Sequence, residues 1–169
     1  MMNARDIARG GVLAAAALAL LYFAGAVSYA AVALCVCAGV TSAVPLLHRA
    51  RLRVAVLLYA AVSVLGLLLV PRKAVAVGYI LFCGLYPIVK FLIESRLPRH
   101  LQMGAKLAYG NVVLAAAAVL AAFVFAPGVA IGGLGRVVLL WVAADAAFLM
   151  YDVALSRLIA VLRRSLPPE

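Results

Sequence analysis

Charged residues are scarce in this chain, and acidic residues are the scarcest of them. Only 12% of the 169 residues are charged, with five Asp and Glu against fifteen Lys and Arg. Histidine occurs twice and tryptophan once. The sequence has no paired-histidine zinc spacing, no P-loop and no Gly-x-Ser-x-Gly elbow. We therefore expect no enzymatic activity, no cofactor and no metal site.

Cysteine is also rare, and its spacing predicts no metal or redox framework. Cys35 and Cys37 would point about 200° apart on a helix, so they cannot share a face. Cys83 stands alone in sequence. Each cysteine is therefore expected to be a small buried apolar residue.

Long apolar runs are what the chain has in abundance. Hydrophobic residues make up 69% of the sequence, and the mean hydropathy is +1.22. They form six blocks of about 17–21 residues, close to the length that crosses a bilayer core as a helix. Because the runs are continuous and do not alternate, helices are favoured over a barrel. We predict an all-α, single-domain bundle of six transmembrane helices over residues 1–169. The predicted spans are 7–27, 30–47, 54–70, 74–93, 107–126 and 137–155.

The distribution of basic residues predicts the orientation of this bundle. With the N-terminus inside, eleven Lys and Arg fall on inner segments, Lys106 among them. Only Arg72, Lys73 and Arg136 fall on outer segments. Both termini are therefore expected in the cytoplasm, with the excess positive charge near anionic lipid headgroups. A nucleic-acid partner would require a basic soluble face, which this chain does not offer.

The first apolar block permits a second interpretation. Arg5 and Arg9, the apolar stretch 12–23 and the small residues 24–26 also fit a signal peptide with its cleavage site. Cleavage would leave five spans. The short gap at Ser28 and Tyr29 instead favours a tight hairpin between two retained helices.

Asp145 is the clearest candidate for a functional side chain, because it lies well inside the last predicted span. An ionisable group at such a depth is costly and is typical of substrate or ion pathways. Trp141 and Tyr79 lie near the predicted outer surface. We predict that these three residues bind a solute. The alternatives are that Asp145 tethers two helices and that the aromatic residues anchor the interface.

A second polar set lies toward the predicted inner surface. Lys90 and Glu94 are spaced by four on the fourth span, so they share a face. Asp152 and Asn111 fall at similar depth, which permits a Lys90–Asp152 pair. This set is predicted to form a polar network or gate, or else a structural salt bridge beside a snorkelling lysine. Pro87 should kink the same span beside Lys90.

Small residues recur every four positions on the first span. Gly11, Ala15 and Ala19 would form a smooth stripe that another helix can approach closely. We predict a partner-binding surface there, with packing inside the bundle as the alternative. In the outer loop 127–136, four glycines suit either a mobile lid or a plain connector.

Together these features resemble the substrate-binding S components of energy-coupling factor transporters. The resemblance rests on the six spans, the basic and then small first helix, and the stripe of Gly11, Ala15 and Ala19. The segment Pro71-x-Lys73…Tyr79…Phe82-x-Gly84-x-Tyr86-Pro87-x-x-Lys90-x-x-Ile93-Glu94 also resembles small S-component-like membrane proteins of anaerobic bacteria.

The resemblance implies a multi-pass protein of the bacterial cytoplasmic membrane. It implies that the protein captures a small solute from outside and relies on a separate transmembrane coupling subunit and two ATPases. Two other functions compatible with the residues are a membrane assembly protein that binds other helices, and a proton- or cation-coupled carrier that acts alone.

Overall fold

The computed structural model describes residues 4–27, 29–47, 52–120, 122 and 134–165. Within these ranges the chain is helical and contains no β-strand. The helices are α1 (Ala4–Ala26), α2 (Ala31–Leu47), α3 (Leu52–Leu69), α4 (Lys73–Gly78), α5 (Tyr86–Arg96), α6 (Arg99–Leu120) and α7 (Leu134–Ser165). A π-helical segment, Tyr79–Cys83, joins α4 to α5. The predicted all-α class is confirmed.

Within the part of the chain that the structure describes, five helical stretches are long and apolar enough to cross a membrane. Large apolar side chains on their surfaces are widely exposed, including Leu68 at 71% and Met150 at 74%. Such surfaces are stable only against hydrocarbon, as expected for a multi-pass helical membrane protein. The predicted second span forms α2, whose 17 residues cover about 26 Å, short of a bilayer core of about 30 Å. A sixth span and the orientation of the termini stay predictions.

The chain divides into two compact units, Met1–Ser95 and Arg96–Glu169. In the first unit, small residues let the helices approach closely around a shared apolar core. Ala17 and Leu21 of α1 pack there with Ala38 of α2, and Leu58 and Val62 of α3 complete this layer. The prediction of a single domain over residues 1–169 stays a prediction.

The fourth predicted span is broken before Pro87. The Gly84 N–H donates to the Tyr79 carbonyl at 2.8 Å, a five-residue step that widens the helix into a π turn. The Ile80 carbonyl, which Gly84 would bond in a regular α-helix, instead accepts the Tyr59 hydroxyl at 2.9 Å. Because Pro87 has no N–H to offer Cys83, regular winding cannot continue across this point. The predicted irregularity is confirmed and begins further upstream than Pro87 alone required.

The second unit contains α6 and α7. α6 begins at Arg99, ahead of the predicted start at residue 107, and α7 runs beyond the predicted end at residue 155. Hydropathy marks the part of a helix that lies in hydrocarbon, whereas winding continues through the flanking polar turns. Gly110 allows close packing here, since a Cβ at this position would lie 3.0 Å from the Phe148 ring.

Two sequence-based predictions are corrected by this fold. Lys106, placed on an inner segment ahead of the predicted span 107–126, instead lies within α6, is 7% exposed and has an acidic partner. Cys37, expected to be buried, is exposed, because the neighbours of α2 cover the opposite face. Most of the glycine-rich loop 127–136, with its predicted lid, lies outside the described residues.

Candidate functional site

The polar residues of the second unit lie along the contact between α6 and α7. On α7, Trp141, Asp145, Phe148 and Asp152 follow one another at steps of four, three and four residues. This spacing places them on one face of the helix. The face is therefore mixed, with two carboxylates two turns apart and an aromatic ring between them.

At one end of this face, three side chains form a hydrogen-bonded chain. The Trp141 indole Nε1 donates to Asn111 Oδ1 at 2.7 Å. The Asn111 amide Nδ2 in turn donates to Asp145 Oδ1 at 3.2 Å and to the Leu107 carbonyl of its own helix at 3.0 Å. Because the amide uses both its oxygen and its nitrogen, its orientation is fixed by the network. Trp141, Asn111 and Asp145 are hereafter called the indole–amide–carboxylate cluster.

Asp145 retains acceptor capacity within this cluster. Its carboxylate is half-buried. Among the described residues of the second unit, the carboxylate accepts a hydrogen bond from Asn111, and no basic side chain pairs with it. A carboxylate offers about four lone-pair positions, so others remain for a ligand or a proton. In an apolar setting, an acceptor of this kind favours a cationic or hydrogen-bond-donating partner.

Two turns further along α7, Asp152 is committed to a partner. Lys106 Nζ lies 3.3 Å from Asp152 Oδ2, and the two side chains are 9% and 10% exposed. Their attraction offsets part of the cost of removing both charges from water, and loss of either partner would leave a buried charge uncompensated. The two aspartates of α7 thus differ: Asp152 holds a lysine of α6, whereas Asp145 holds a neutral amide.

The remaining members of the predicted inner network lie in the first unit. Lys90 Nζ is 3.4 Å from Glu94 Oε1, which confirms that the two side chains share a face of the helix. The Lys90 ammonium also lies 5.9 Å from the centroid of the Tyr86 ring, within the range of a cation–π contact. The predicted Lys90–Asp152 pair would join the two units and stays a prediction. Asp152 meets Lys106 within its own unit.

Tyr79 lies in the core of the first unit and is fully buried. Its hydroxyl is 3.2 Å from Ser42 Oγ, and its ring stacks on Tyr59 with centroids 6.3 Å apart. Burial of a tyrosine normally requires such a partner for the hydroxyl. Sequence reasoning missed Ser42, Tyr59 and Lys106, because each becomes informative only when its neighbour on another helix is known.

The small-residue stripe of α1 is exposed. Gly11, Ala15 and Ala19 all lie on the surface, and a Cβ added at Gly11 would meet nothing within 4 Å. α1 packs on its neighbours through another face, which includes Ala17 and Leu21. In the part of the chain that the structure describes, the stripe therefore takes no part in packing.

The described residues contain no group of three or more His, Cys, Asp or Glu side chains that could hold a metal ion. Comparison with protein-family models, curated proteins and solved structures gives no match to this chain.

Proposed function

We propose that this chain is the solute-binding integral membrane subunit of an uptake system of the energy-coupling factor type. In this role it captures a small solute and relies on separate coupling and ATPase subunits for energy. The resemblance of the first span and of segment 71–94 to S components motivates the proposal. The indole–amide–carboxylate cluster is the single observation that carries it.

The cluster has the parts that recognition of a small polar solute requires. Asp145 supplies an acceptor, Asn111 holds that carboxylate in place, and Trp141 supplies a flat apolar surface whose N–H is already bonded. Binding sites commonly combine apolar walls with a few oriented polar groups. The solute that suits this site presents a cationic or hydrogen-bond-donating group to Asp145.

The exposed stripe of α1 supports the second half of the proposal, which is docking on a coupling subunit. Helices associate in lipid by close packing, and small residues spaced by four permit it. Gly11, Ala15 and Ala19 are exposed and lie on one face, so the surface is open to a helix of another chain.

Native mass spectrometry of the protein purified from its own membrane tests solute binding. We expect the wild type to retain a small molecule, and the isosteric change Asp145→Asn to lose it. Trp141→Phe keeps an aromatic ring without the N–H and should weaken retention less. Val112→Ala, at an exposed position beside Asn111, serves as the control and should retain the molecule. A wild type that reproducibly carries no solute would refute the assignment.

Co-purification tests the docking half separately. Ala15→Leu should abolish recovery of the coupling subunit and ATPases while solute retention stays unchanged. Ala16→Leu is the matched control, because Ala16 is also exposed but lies about 100° around the helix from the stripe. Equal recovery with both variants would contradict the assigned surface. If Ala15→Leu loses the partner subunits but keeps the solute, the docking surface has failed and the solute site has not.

The difference between Asp145 and Asp152 favours a second candidate, a proton- or cation-coupled carrier that acts alone. A membrane carboxylate without a basic partner is typical of such proteins. Proteoliposomes that contain only this chain separate the two functions. Uptake driven by an ion gradient and abolished by Asp145→Asn would favour the carrier. Its absence, together with solute retention, would favour the uptake subunit.

A further inference from the structure

Two buried cysteines from different helices meet in the first unit. Cys35 lies on α2 and Cys83 ends the π-helical segment, and each is 7% exposed. Both belong to one buried core cluster, and both line the same cavity. Cys37, two residues from Cys35, is exposed on another face of α2. The chain therefore contains two cysteines that share a buried cavity and one that lies apart from them.

Both thiols line a cavity of about 330 Å³ between α2 and the broken fourth helix. The rest of its lining is apolar and includes Ala31, Val32, Val75 and Phe82. Sulfur is thus the donor atom that the lining side chains offer. Such a cavity does not suit hard cations, which require several oxygen ligands.

The backbone holds the two thiols in register. A Cβ added to Gly39 would collide with the backbone of Cys83, so α2 lies directly against the π-helical segment at this level. Tyr59 of α3 also holds the segment, through its bond to the Ile80 carbonyl. The segment that ends at Cys83 is therefore held by contacts from α2 and from α3. Cys35 lies one helical turn before Gly39 on α2.

We propose that Cys35 and Cys83 form a two-coordinate site for a soft monovalent cation of the copper(I) class. Soft thiolate ligands select such ions, whereas structural zinc requires four ligands. On binding, each thiol releases one proton and each sulfur forms one bond to the cation, with no change in oxidation state. The charge of the cation offsets one of the two thiolate charges, which reduces the cost of placing the group among apolar side chains.

This site is independent of the proposed solute function, because it uses other residues and lies in the first unit. Failure of copper binding would leave the indole–amide–carboxylate cluster untouched. Failure of solute retention would equally leave the thiol pair untouched.

Competition for copper(I) against a coloured chelator tests the proposal. The full chain is purified in detergent without oxygen and kept reduced with a phosphine. We expect the wild type and Cys37→Ala to retain about one equivalent of copper(I), the stoichiometry of one paired-thiolate site. Cys35→Ala and Cys83→Ala should each lose it. X-ray absorption of the loaded wild type should show sulfur neighbours alone.

A measurement on the wild type keeps the test valid if either alanine variant fails to fold. Bound copper(I) should protect Cys35 and Cys83 from a small thiol-alkylating reagent, while Cys37 is modified at the same rate with and without the ion. Peptide mass spectrometry reports the three positions separately. Removal of copper by the chelator as readily from the wild type as from Cys35→Ala would overturn the proposal, as would oxygen or nitrogen neighbours of the ion.

Discussion

Polar side chains in the second unit differ in the partners that they find for hydrogen bonds or ion pairs. Asp152 has a lysine, Trp141 has an amide oxygen, and Asp145 has a single amide nitrogen among the described residues of that unit. Position in sequence does not reveal this difference, because both aspartates lie in one apolar helix. The identity of the residue that faces each of them on α6 decides it.

We predict that breaking the Lys106–Asp152 ion pair destabilises the protein. Lys106→Met should lower the free energy of unfolding by about 3–5 kcal/mol, because it removes the cation that compensates buried Asp152. Combining it with Asp152→Leu should recover most of the loss, since no buried charge then remains. Thermal unfolding in detergent measures both. A double variant no more stable than Lys106→Met alone would contradict this account.

Trp141 is the single tryptophan of the chain, so its fluorescence reports directly on its hydrogen bond to Asn111. Asn111→Ala removes the acceptor of the indole N–H and should change the tryptophan emission. It should also cost about 1–3 kcal/mol of stability, the range for a buried polar group left without its partner. Val112→Ala, at an exposed position, is the control and should leave the emission unchanged.

At the scale of elements, the break between α4 and α5 organises the first unit. It turns a carbonyl toward Tyr59 and brings the backbone of Cys83 against α2. The two backbones are so close at this contact that no Cβ would fit, and Gly39 meets this requirement.

Gly39 and Gly78 lie on neighbouring helices, so the same change to alanine can be compared at the two positions. Gly39→Ala should destabilise the protein markedly, because its Cβ meets the backbone of Cys83, which cannot move aside as a flexible side chain can. Gly78→Ala should be neutral or stabilising by up to about 1 kcal/mol, since nothing lies within 4 Å and alanine favours helix. Unfolding midpoints of the two variants compare them directly. Equal midpoints would mean that the contact is loose.

The sequence predicts single elements better than their contacts. Continuous apolar runs located the helices, and Pro87 indicated that the fourth span is irregular, because both follow from local chemistry. The pairing of Lys106 with Asp152 and of Cys35 with Cys83 could not be derived, since each depends on which helices are neighbours. The predicted start of this helix at residue 107 falls after Lys106, because hydropathy does not detect a helix that continues into a polar region.

At the scale of the whole molecule, the basic residues predict which side of the membrane each end occupies. The Lys and Arg counts favour the inner side for both termini. We expect that single cysteines placed beside Met1 and Glu169 in a cysteine-free background react only after cells are opened. A cysteine in place of Arg72 should react in intact cells. Reaction of one terminus from outside would show an odd number of crossings.

The π-helical segment has a consequence for everything that follows it in the fourth helix. One residue fewer between Tyr79 and Cys83 would restore ordinary winding and turn each later side chain by about 100° around the axis. Lys90 and Glu94 would then face a different direction although neither had been replaced. The number of residues in the segment upstream therefore determines the direction in which Lys90 and Glu94 point. Deleting a single residue there is a way to change that direction.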